Sequence, residues 1–327
     1  MASSRAQKRL SPYTRIAGFI ALLPALFWLG LAGDNPAAAA AARPHRLVAL
    51  TGASAPPFPA VLQGINNLLA ARQVAAAITT IHLDQEGATS DTALREALAG
   101  KPEVIVCLGS AACENPLVRA AGVPVVYGMI FKPEAPPAPA GLFTGVSLDF
   151  AIDTELELLA QFIPHTRNVG VLYNPAENSR KIAQAQNIAE KLGLNLIAVP
   201  VNTLKDLPLA LTRILLDASV IWGINDPVVL SPQTANNVLL HSFRNRIPFV
   251  GLSEAWVKAG ALYALDRDYE DIGAQCGELI VEILAGTRPS RGNVFPRKIL
   301  YYLNMKTAKH MKLDFPAAII DGAAKIY

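Results

Sequence analysis

Polar residues in this chain stand directly after apolar runs, at the positions from which side chains reach a ligand in open parallel sheets. Several of these positions lead into a helix, whose first backbone N–H groups can hold an anion such as a carboxylate. The chemistry they offer is the binding of a small polar molecule. The candidate ligand-binding residues are Ser54, Ser110, Tyr127, Asn174, Glu177, Asn178, Ser179, Asn225, Asp226, Ser253 and Asp266.

Specific roles can be assigned to a few of these residues. A helix that begins at Asn178 or Ser179 would hold a ligand carboxylate, and the Asp226 carboxylate would pair with a ligand ammonium. A plain helix cap is the equally favoured alternative in both places. Tyr127 or Trp222 would face the apolar part of the ligand, with core packing as the alternative for each.

Motifs for catalysis and metal binding are missing from the sequence. It contains no Gly-x-Ser-x-Gly, His-Glu-x-x-His, phosphate-binding loop or Gly-x-Gly-x-x-Gly. The three cysteines lack Cys-x-x-Cys spacing, so neither a zinc site nor a disulfide framework is indicated. We therefore expect no catalytic residue, no metal and no cofactor. A secreted α/β enzyme, with a catalytic group assembled only by the fold, is the less favoured alternative.

The elements that must position these residues are apolar strands that alternate with amphipathic helices, in two successive series. Continuous apolar strands between helices predict a parallel sheet covered on both faces. The predicted strands are Arg46–Thr51, Ile78–Leu83, Glu103–Leu108, Pro124–Met129, Asn168–Tyr173, Asn195–Pro200, Ser219–Gly223, Ile247–Leu252, Ala261–Leu265 and Lys298–Leu303. Two series predict an α/β protein with two doubly wound, Rossmann-like lobes.

The join between the two series is a proline-rich segment. Residues 132–141 (KPEAPPAPAG) contain four prolines and cannot continue a helix or a central strand. The last helix and strand need partners in the two lobes, so we expect the chain to cross between lobes more than once. The predicted organisation is a signal peptide at residues 1–42, a first lobe at 43–146 and 267–291, and a second lobe at 147–266 and 292–327.

The amino-terminal segment predicts export. Basic residues occur up to Arg15, residues 16–33 are uncharged and apolar, and an alanine run ends at Ala42. This order is typical of a cleaved secretory signal peptide, with an uncleaved membrane anchor as the alternative. The formal net charge of +3 comes from this segment, since the rest of the chain is neutral. A nucleic-acid-binding protein would need a basic surface, so we exclude that class.

Five segments, in order, resemble a known family. They read NVGVLYNPAENS at Asn168–Ser179, NDPV at Asn225–Val228, RIPFVGLSEAWVKAGA at Arg246–Ala261, DYEDIG at Asp268–Gly273 and YLNMKTA at Tyr302–Ala308. The chain is similar to ABC-transporter substrate-binding proteins of the tryptophan/tyrosine-binding type, over roughly Arg46 to Leu313.

The resemblance implies a type I periplasmic-binding fold, in which three crossings join two lobes and the ligand sits in the cleft. It implies that Ser110, Asn174, Glu177–Ser179, Asn225–Asp226, Ser253 and Asp266 line this cleft. Two loops depart from the family pattern. Gly128–Phe131 stands where Thr-Asp-Pro is usual, and Gly52–Pro59 lacks the usual polar and His residues. An aromatic amino acid as ligand is an expectation from the resemblance.

The combined expectation is a monomeric periplasmic protein of an ABC import system. It would bind an amino acid or related small carboxylate by hinge closure and deliver it to a membrane permease with its cytoplasmic ATPase. The main alternative is a ligand-sensing module that presents its ligand to a membrane signalling protein, which a retained amino-terminal anchor would favour.

Overall fold

The computed structural model of the protein describes residues 43–52, 56–83, 88–131, 143–287 and 293–327. The predicted signal peptide, Ser54 and the proline-rich join lie outside the described residues. Residues 43–327 form one compact unit. It contains two α/β lobes, each built on its own sheet.

The first lobe is built on a six-stranded sheet in which all neighbouring strands are parallel. Its strands are β1 His45–Thr51, β2 Ala76–His82, β3 Val104–Leu108, β4 Val125–Ile130, β5 Phe143–Ser147 and β11 Asn293–Val294. Their spatial order is β11-β5-β4-β3-β1-β2. Every residue of β3 is buried, as expected for a central strand covered on both faces.

The second lobe is built on a seven-stranded sheet. Its strands are β6 Asn168–Tyr173, β7 Asn195–Pro200, β8 Val220–Trp222, β9 Phe249–Gly251, β10 Tyr263–Arg267, β12 Ile299–Leu303 and β13 Lys325–Ile326. Their spatial order is β13-β12-β10-β9-β8-β6-β7. The pairing of β10 with β12 is antiparallel, and the other pairings are parallel.

Helices cover both faces of each sheet, since each lobe contains two separate clusters of buried apolar residues. The helices are α1 Phe58–Ala71, α2 Ala88–Ala99, α3 Ser110–Glu114, α4 Pro116–Ala120, α5 Ile152–Phe162, α6 Pro175–Lys191, α7 Leu207–Asp217, α8 Ala235–Asn245, α9 Glu254–Ala259, α10 Tyr269–Leu284, α11 Met305–Met311 and α12 Ala317–Asp321. None of the helices in the described part of the chain is long and apolar enough to span a membrane.

The chain passes between the lobes three times, as the resemblance implies. It leaves the first sheet at the end of β5 and enters α5 of the second lobe, and it returns from β10 into α10. The third passage joins β11 in the first sheet to β12 in the second. Because β11 is at Asn293–Val294, the first sheet extends slightly past the predicted boundary at residues 291 and 292.

Helices α1 and α10 pack closely through two glycines. A Cβ atom at Gly64 would lie 1.9 Å from the carbonyl oxygen of Glu270, and one at Gly273 would lie 2.0 Å from that of Val61. Both distances are far inside van der Waals contact, so the helix backbones approach to a separation that only glycine allows. This contact anchors α10, which follows the second crossing, to the first lobe.

The predicted strands are all present, with ends shifted by a few residues at most, and Asn168–Tyr173 and Asn195–Pro200 have the predicted bounds. Three strands were not predicted: β5, β11 and β13. The strand β11 and the strand β13 have two residues each, too few to show a period. The sequence of β5, FTGVS, has a Gly and no continuous apolar run.

Candidate functional site

A cavity of about 60 Å³ lies at the carboxyl ends of β8, β9 and β10. This is the edge at which open α/β sheets bind ligands, and the space is sufficient for several water molecules. The lining residues come from the second lobe, from the first crossing and from the loop after β4. They are Phe131, Asp149, Phe150, Glu155, Lys181, Trp222, Gly223, Ile224, Asn225, Val250, Gly251, Leu252, Tyr263, Leu265 and Arg267.

Glu155 connects three elements at the cavity wall. On α5, its Oε1 accepts a hydrogen bond from Lys181 Nζ of α6 at 3.4 Å, and its Oε2 accepts one from Trp222 Nε1 of β8 at 2.8 Å. Lys181 Nζ also lies 5.4 Å from the centre of the Trp222 ring. Burial raises the pKa of Glu155, because the desolvation of the carboxylate outweighs the stabilisation by Lys181 and Trp222. The network therefore holds an ammonium group and an indole ring at the cavity.

Arg267, the last residue of β10, adds a guanidinium group to the lining of the cavity. Its Nε donates a hydrogen bond to the carbonyl oxygen of Leu148 at 2.5 Å, which ties the second crossing to the first. Nη1 is 3.9 Å from Asp266 Oδ1, too far for a normal hydrogen bond. Burial lowers the pKa of Arg267, while nearby Tyr269 and the acidic residues oppose this shift. An arginine remains charged under these conditions, so the cavity contains a largely desolvated cation.

The charges that line the cavity balance. Asp149 and Glu155 are acidic, and Lys181 and Arg267 are basic. Asp149 is held beside the first crossing, because its backbone N–H donates to Ser147 Oγ at 2.9 Å and Ser147 Oγ donates to Asp149 Oδ2 at 3.3 Å. A cavity with both signs and no net charge favours a ligand that also carries both signs.

The Asp226 carboxylate, which we expected to meet a ligand ammonium, is instead surrounded by donors of the protein. Asp226 is 1% exposed. Oδ2 accepts from Asn174 N at 2.6 Å and from Asn178 Nδ2 at 2.7 Å, and Oδ1 accepts from the backbone N–H groups of Val228 and Val229 at 3.0 and 2.9 Å. These bonds give Asp226 a structural role, since they join the loop after β8 to the start of α6.

The start of α6 also differs from the expectation. The helix begins at Pro175, and Asn174 is its N-cap, accepting from Ala176 N at 3.0 Å. Asn178 and Ser179 therefore lie within the first turns, where Asn178 N donates to Asn174 O. Proline at the first helical position is favoured because it has no N–H to satisfy. A ligand carboxylate would not find free N–H groups at Asn178 or Ser179.

The Asn178 side chain is buried and only partly satisfied. Its Nδ2 donates to Asp226 Oδ2 and to the carbonyl oxygen of Asn225 at 3.3 Å. Its Oδ1 is buried without a hydrogen-bond partner among the described residues. Asn225, in the same loop, lines the cavity. Hydrogen bonds among Asn174, Asn178 and Asp226 therefore hold the loop that carries Asn225.

Of the candidate residues within the described part of the chain, only Asn225 lines the cavity. Tyr127 is buried in β4, where its hydroxyl donates to Asn293 Oδ1 at 3.2 Å. The remaining candidates, which are exposed or half-buried near strand ends or helix starts, are Ser110, Glu177, Ser179, Ser253 and Asp266. Asp266 accepts from its neighbour Arg267 N at 2.8 Å, and burial raises the pKa of Asp266.

The charged residues of the cavity were missed in the sequence for identifiable reasons. Glu155 and Lys181 lie inside helices, 26 residues apart, and meet only when α5 packs against α6. Asp149 follows β5, which was not predicted. Arg267 was within reach of sequence reasoning, because it stands in the polar segment after a predicted strand, next to Asp266. Trp222, considered as an aromatic contact, does line the cavity.

Side chains that could bind a metal ion are dispersed in the described part of the chain. Across the described ranges, no cluster of three or more His, Cys, Asp or Glu side chains could hold a metal ion. The thiols of Cys107 and Cys276 are buried, and burial raises the pKa of Cys276 to about 12. A thiol with such a pKa remains protonated at neutral pH and is a poor ligand or nucleophile.

Comparisons with known proteins identify the family and the fold of this chain. The chain is 23% identical over 219 residues to a tyrosine-binding protein of Clostridioides difficile (strain R20291), and the match covers 63% of this chain and 63% of that protein's own length. Among solved structures, a ligand-free, open substrate-binding protein with adhesive properties from Clostridium difficile is 19% identical with a TM-score of 0.67, covering 86% of this chain and 98% of that one.

A domain from Streptococcus pneumonia, solved in complex with L-Trp, is 22% identical with a TM-score of 0.56, covering 86% of this chain and 100% of that one. These structural likenesses show the two-lobed type I periplasmic-binding fold. The family described as ABC transporter substrate binding protein matches residues 60–327. This chain therefore belongs to the ABC transporter substrate-binding protein family.

Proposed function

We propose that the chain is the exported solute receptor of an ABC import system and that it binds an amino acid or a closely related small carboxylate in the cavity at the ends of β8, β9 and β10. The observation that carries the proposal is the charge-balanced lining, in which Arg267 stands among aromatic side chains. A zwitterion needs both a cationic and an anionic partner, and it gains little from a site of one sign.

Arg267 is the proposed partner of the ligand carboxylate. Its Nε is engaged by Leu148 O, so the two Nη atoms present the planar fork that matches a carboxylate. Asp149 is the proposed partner of the ligand ammonium, because it is an acidic residue of the first crossing that lines the cavity. This assignment replaces Asp226 by Asp149 and the α6 start by Arg267.

The apolar part of the ligand would contact aromatic walls. Phe131, Phe150, Trp222 and Tyr263 all line the cavity, and flat rings offer contact area at low cost in side-chain entropy. The tyrosine-binding relative and the L-Trp complex are consistent with an aromatic ligand in this chain. Binding would favour the closed arrangement of the lobes by the difference in affinity between closed and open states, and the closed form would be read by the permease.

We also propose that the chain is exported and that it does not convert its ligand chemically. The amino-terminal segment predicts a cleaved signal peptide, so intact-mass measurement of the native protein should give a chain that begins near residue 43. A chain that retains the segment would favour the sensing alternative. Incubation of the purified chain with its ligand should return the ligand chemically unchanged, whereas a converted product would favour an enzyme.

The test of the binding site is a thermal-shift screen of residues 43–327 against amino acids and small carboxylates. Ligand at about a hundred times its Kd should stabilise the fold by roughly 2.7 kcal/mol, a visible rise in Tm. Arg267→Met should reduce this rise to about half or less, because a Kd raised about 10-fold or more lowers the stabilisation by bound ligand. The matched control is Arg119→Met, because Arg119 also donates from Nε to a backbone oxygen, that of Cys113, but is exposed and outside the cavity. A panel without any stabilising compound would contradict the proposed ligand class.

A further inference from the structure

The cavity is contributed almost wholly by one side of the molecule. Of the described residues that line it, Phe131 is the one from the first lobe, since the others belong to the second lobe or to the crossings. Phe131 directly follows β4 and is 40% exposed while it also lines the cavity. A ligand held by the second lobe would therefore meet the first lobe at this ring.

The backbone before Phe131 is irregular. The pairing of β4 with β5 shifts register between Tyr127 and Ile130, and bulges of this kind redirect side chains at functional edges. Met129 has φ of 63°, a left-handed conformation that is unfavourable for a residue with a side chain. The carbonyl oxygen of Ile130 accepts from Leu148 N at 2.8 Å, which fixes the strand end to the first crossing.

Phe131 also contacts the proposed carboxylate-binding residue. The Arg267 guanidinium carbon lies 5.4 Å from the centre of the Phe131 ring and 4.5 Å from that of Phe150. An arginine over an aromatic face is attracted by the ring, and more strongly when both are desolvated. The three side chains therefore join the first lobe, the first crossing and the second crossing at one point beside the cavity.

We propose that Phe131 is a specificity-determining residue, which closes the first lobe over the ligand by stacking on Arg267 and selects ligands whose side chain is a flat apolar ring. This inference rests on the proposed function, because it presumes that a ligand carboxylate binds Arg267. The exposed part of the Phe131 ring would be covered by the ligand's own ring, so a ligand without a ring would gain much less from this residue.

The first test compares Phe131→Ala and Phe131→Leu with wild type by calorimetric titration of L-tryptophan, L-tyrosine, L-leucine and L-alanine. Phe131→Ala should weaken binding of the two aromatic amino acids by about tenfold and change binding of L-alanine by less than about threefold. Relative to Phe131→Ala, Phe131→Leu should restore the affinity for L-leucine more than the affinity for L-tryptophan. The matched control is Phe295→Ala, because Phe295 is a similarly exposed phenylalanine, at 45%, outside the cavity. Equal losses for all four amino acids, or no loss, would overturn the selectivity.

The second test needs no ligand. Small-angle scattering of ligand-free Phe131→Ala should give a larger radius of gyration than wild type or Phe295→Ala, because the contact with Arg267 that draws the lobes together is lost. An unchanged radius would overturn the closing role of Phe131. If wild type binds neither these four amino acids nor any compound of the thermal-shift panel, the proposed function fails, and the scattering result alone then decides whether Phe131 holds the lobes together.

Discussion

Replacing Arg267 with methionine tests the proposed recognition most sharply. The substitution keeps an unbranched apolar stem between Phe131 and Phe150 but removes the guanidinium group. A hydrogen bond between charged groups contributes about 1.5 to 3 kcal/mol, so losing the bond from Arg267 to the ligand carboxylate should raise Kd by about 10- to 150-fold. The upper end applies if both Nη atoms contact the carboxylate.

The same substitution also affects folding, and the two effects must be separated. Arg267 Nε donates to the carbonyl oxygen of Leu148, a residue that is 7% exposed. A buried acceptor left without a donor costs about 1 to 3 kcal/mol, and the lost contacts with the aromatic rings add to this cost. We therefore expect Arg267→Met to lower the free energy of unfolding by about 2 kcal/mol, measured by urea denaturation without ligand.

Affinity should be measured by calorimetry at a temperature where both proteins are fully folded, with the compound that gives the largest thermal shift on wild type. Arg267→Lys is the informative second variant, because it keeps the charge but loses the planar fork and the bond to Leu148 O. It should bind with an affinity between those of wild type and Arg267→Met. A folded Arg267→Met that binds as tightly as wild type would refute the assignment of the carboxylate to Arg267.

Three further predictions follow from buried contacts. Gly64→Ala should lower the free energy of unfolding by at least about 2 kcal/mol, because the added methyl would lie 1.9 Å from the carbonyl oxygen of Glu270; an unchanged urea midpoint would contradict the observed packing. Asp226→Ala should cost about 3 kcal/mol, since four donors, three of them in buried hydrogen bonds, lose their acceptor, and a folded variant with full stability but lost binding would return Asp226 to the ligand site. Glu155→Gln should become more stable relative to wild type as pH rises. The pKa of Glu155 is raised in the folded state, so its contribution is fully present below the unfolded pKa and is lost as pH rises through the folded pKa. A stability difference that stays constant between about pH 4 and pH 7 would argue against this shift.

The architecture could be predicted from sequence because continuous apolar strands and amphipathic helices are local patterns. The strands at Asn168–Tyr173 and Asn195–Pro200 are examples in which even the bounds agree. The edge of the sheet that would bind a ligand could also be predicted, because open parallel sheets bind ligands at the carboxyl ends of their strands. Very short strands carry no such pattern, which is why β11 and β13 were missed.

The identity of the binding residues depends on contacts that the sequence does not display. Asp226 follows an apolar strand, as a ligand-binding carboxylate would, but its side chain turns inward because the backbone donors at Asn174, Val228 and Val229 converge on it. Glu155 and Lys181 look like ordinary helical charges until α5 packs on α6. Sequence reasoning locates the edge of the sheet, and the packing of helices decides which side chains reach it.

We propose that a ligand with a carboxylate occupies the cavity lined by Arg267 and Phe131. A crystal structure of residues 43–327 with the strongest binder from the thermal-shift panel tests it most directly. We predict the ligand carboxylate against Arg267, its ammonium near Asp149 and its side chain among Phe131, Phe150 and Trp222. A ligand bound elsewhere, or bound in the cavity with its carboxylate turned away from Arg267, would contradict the account.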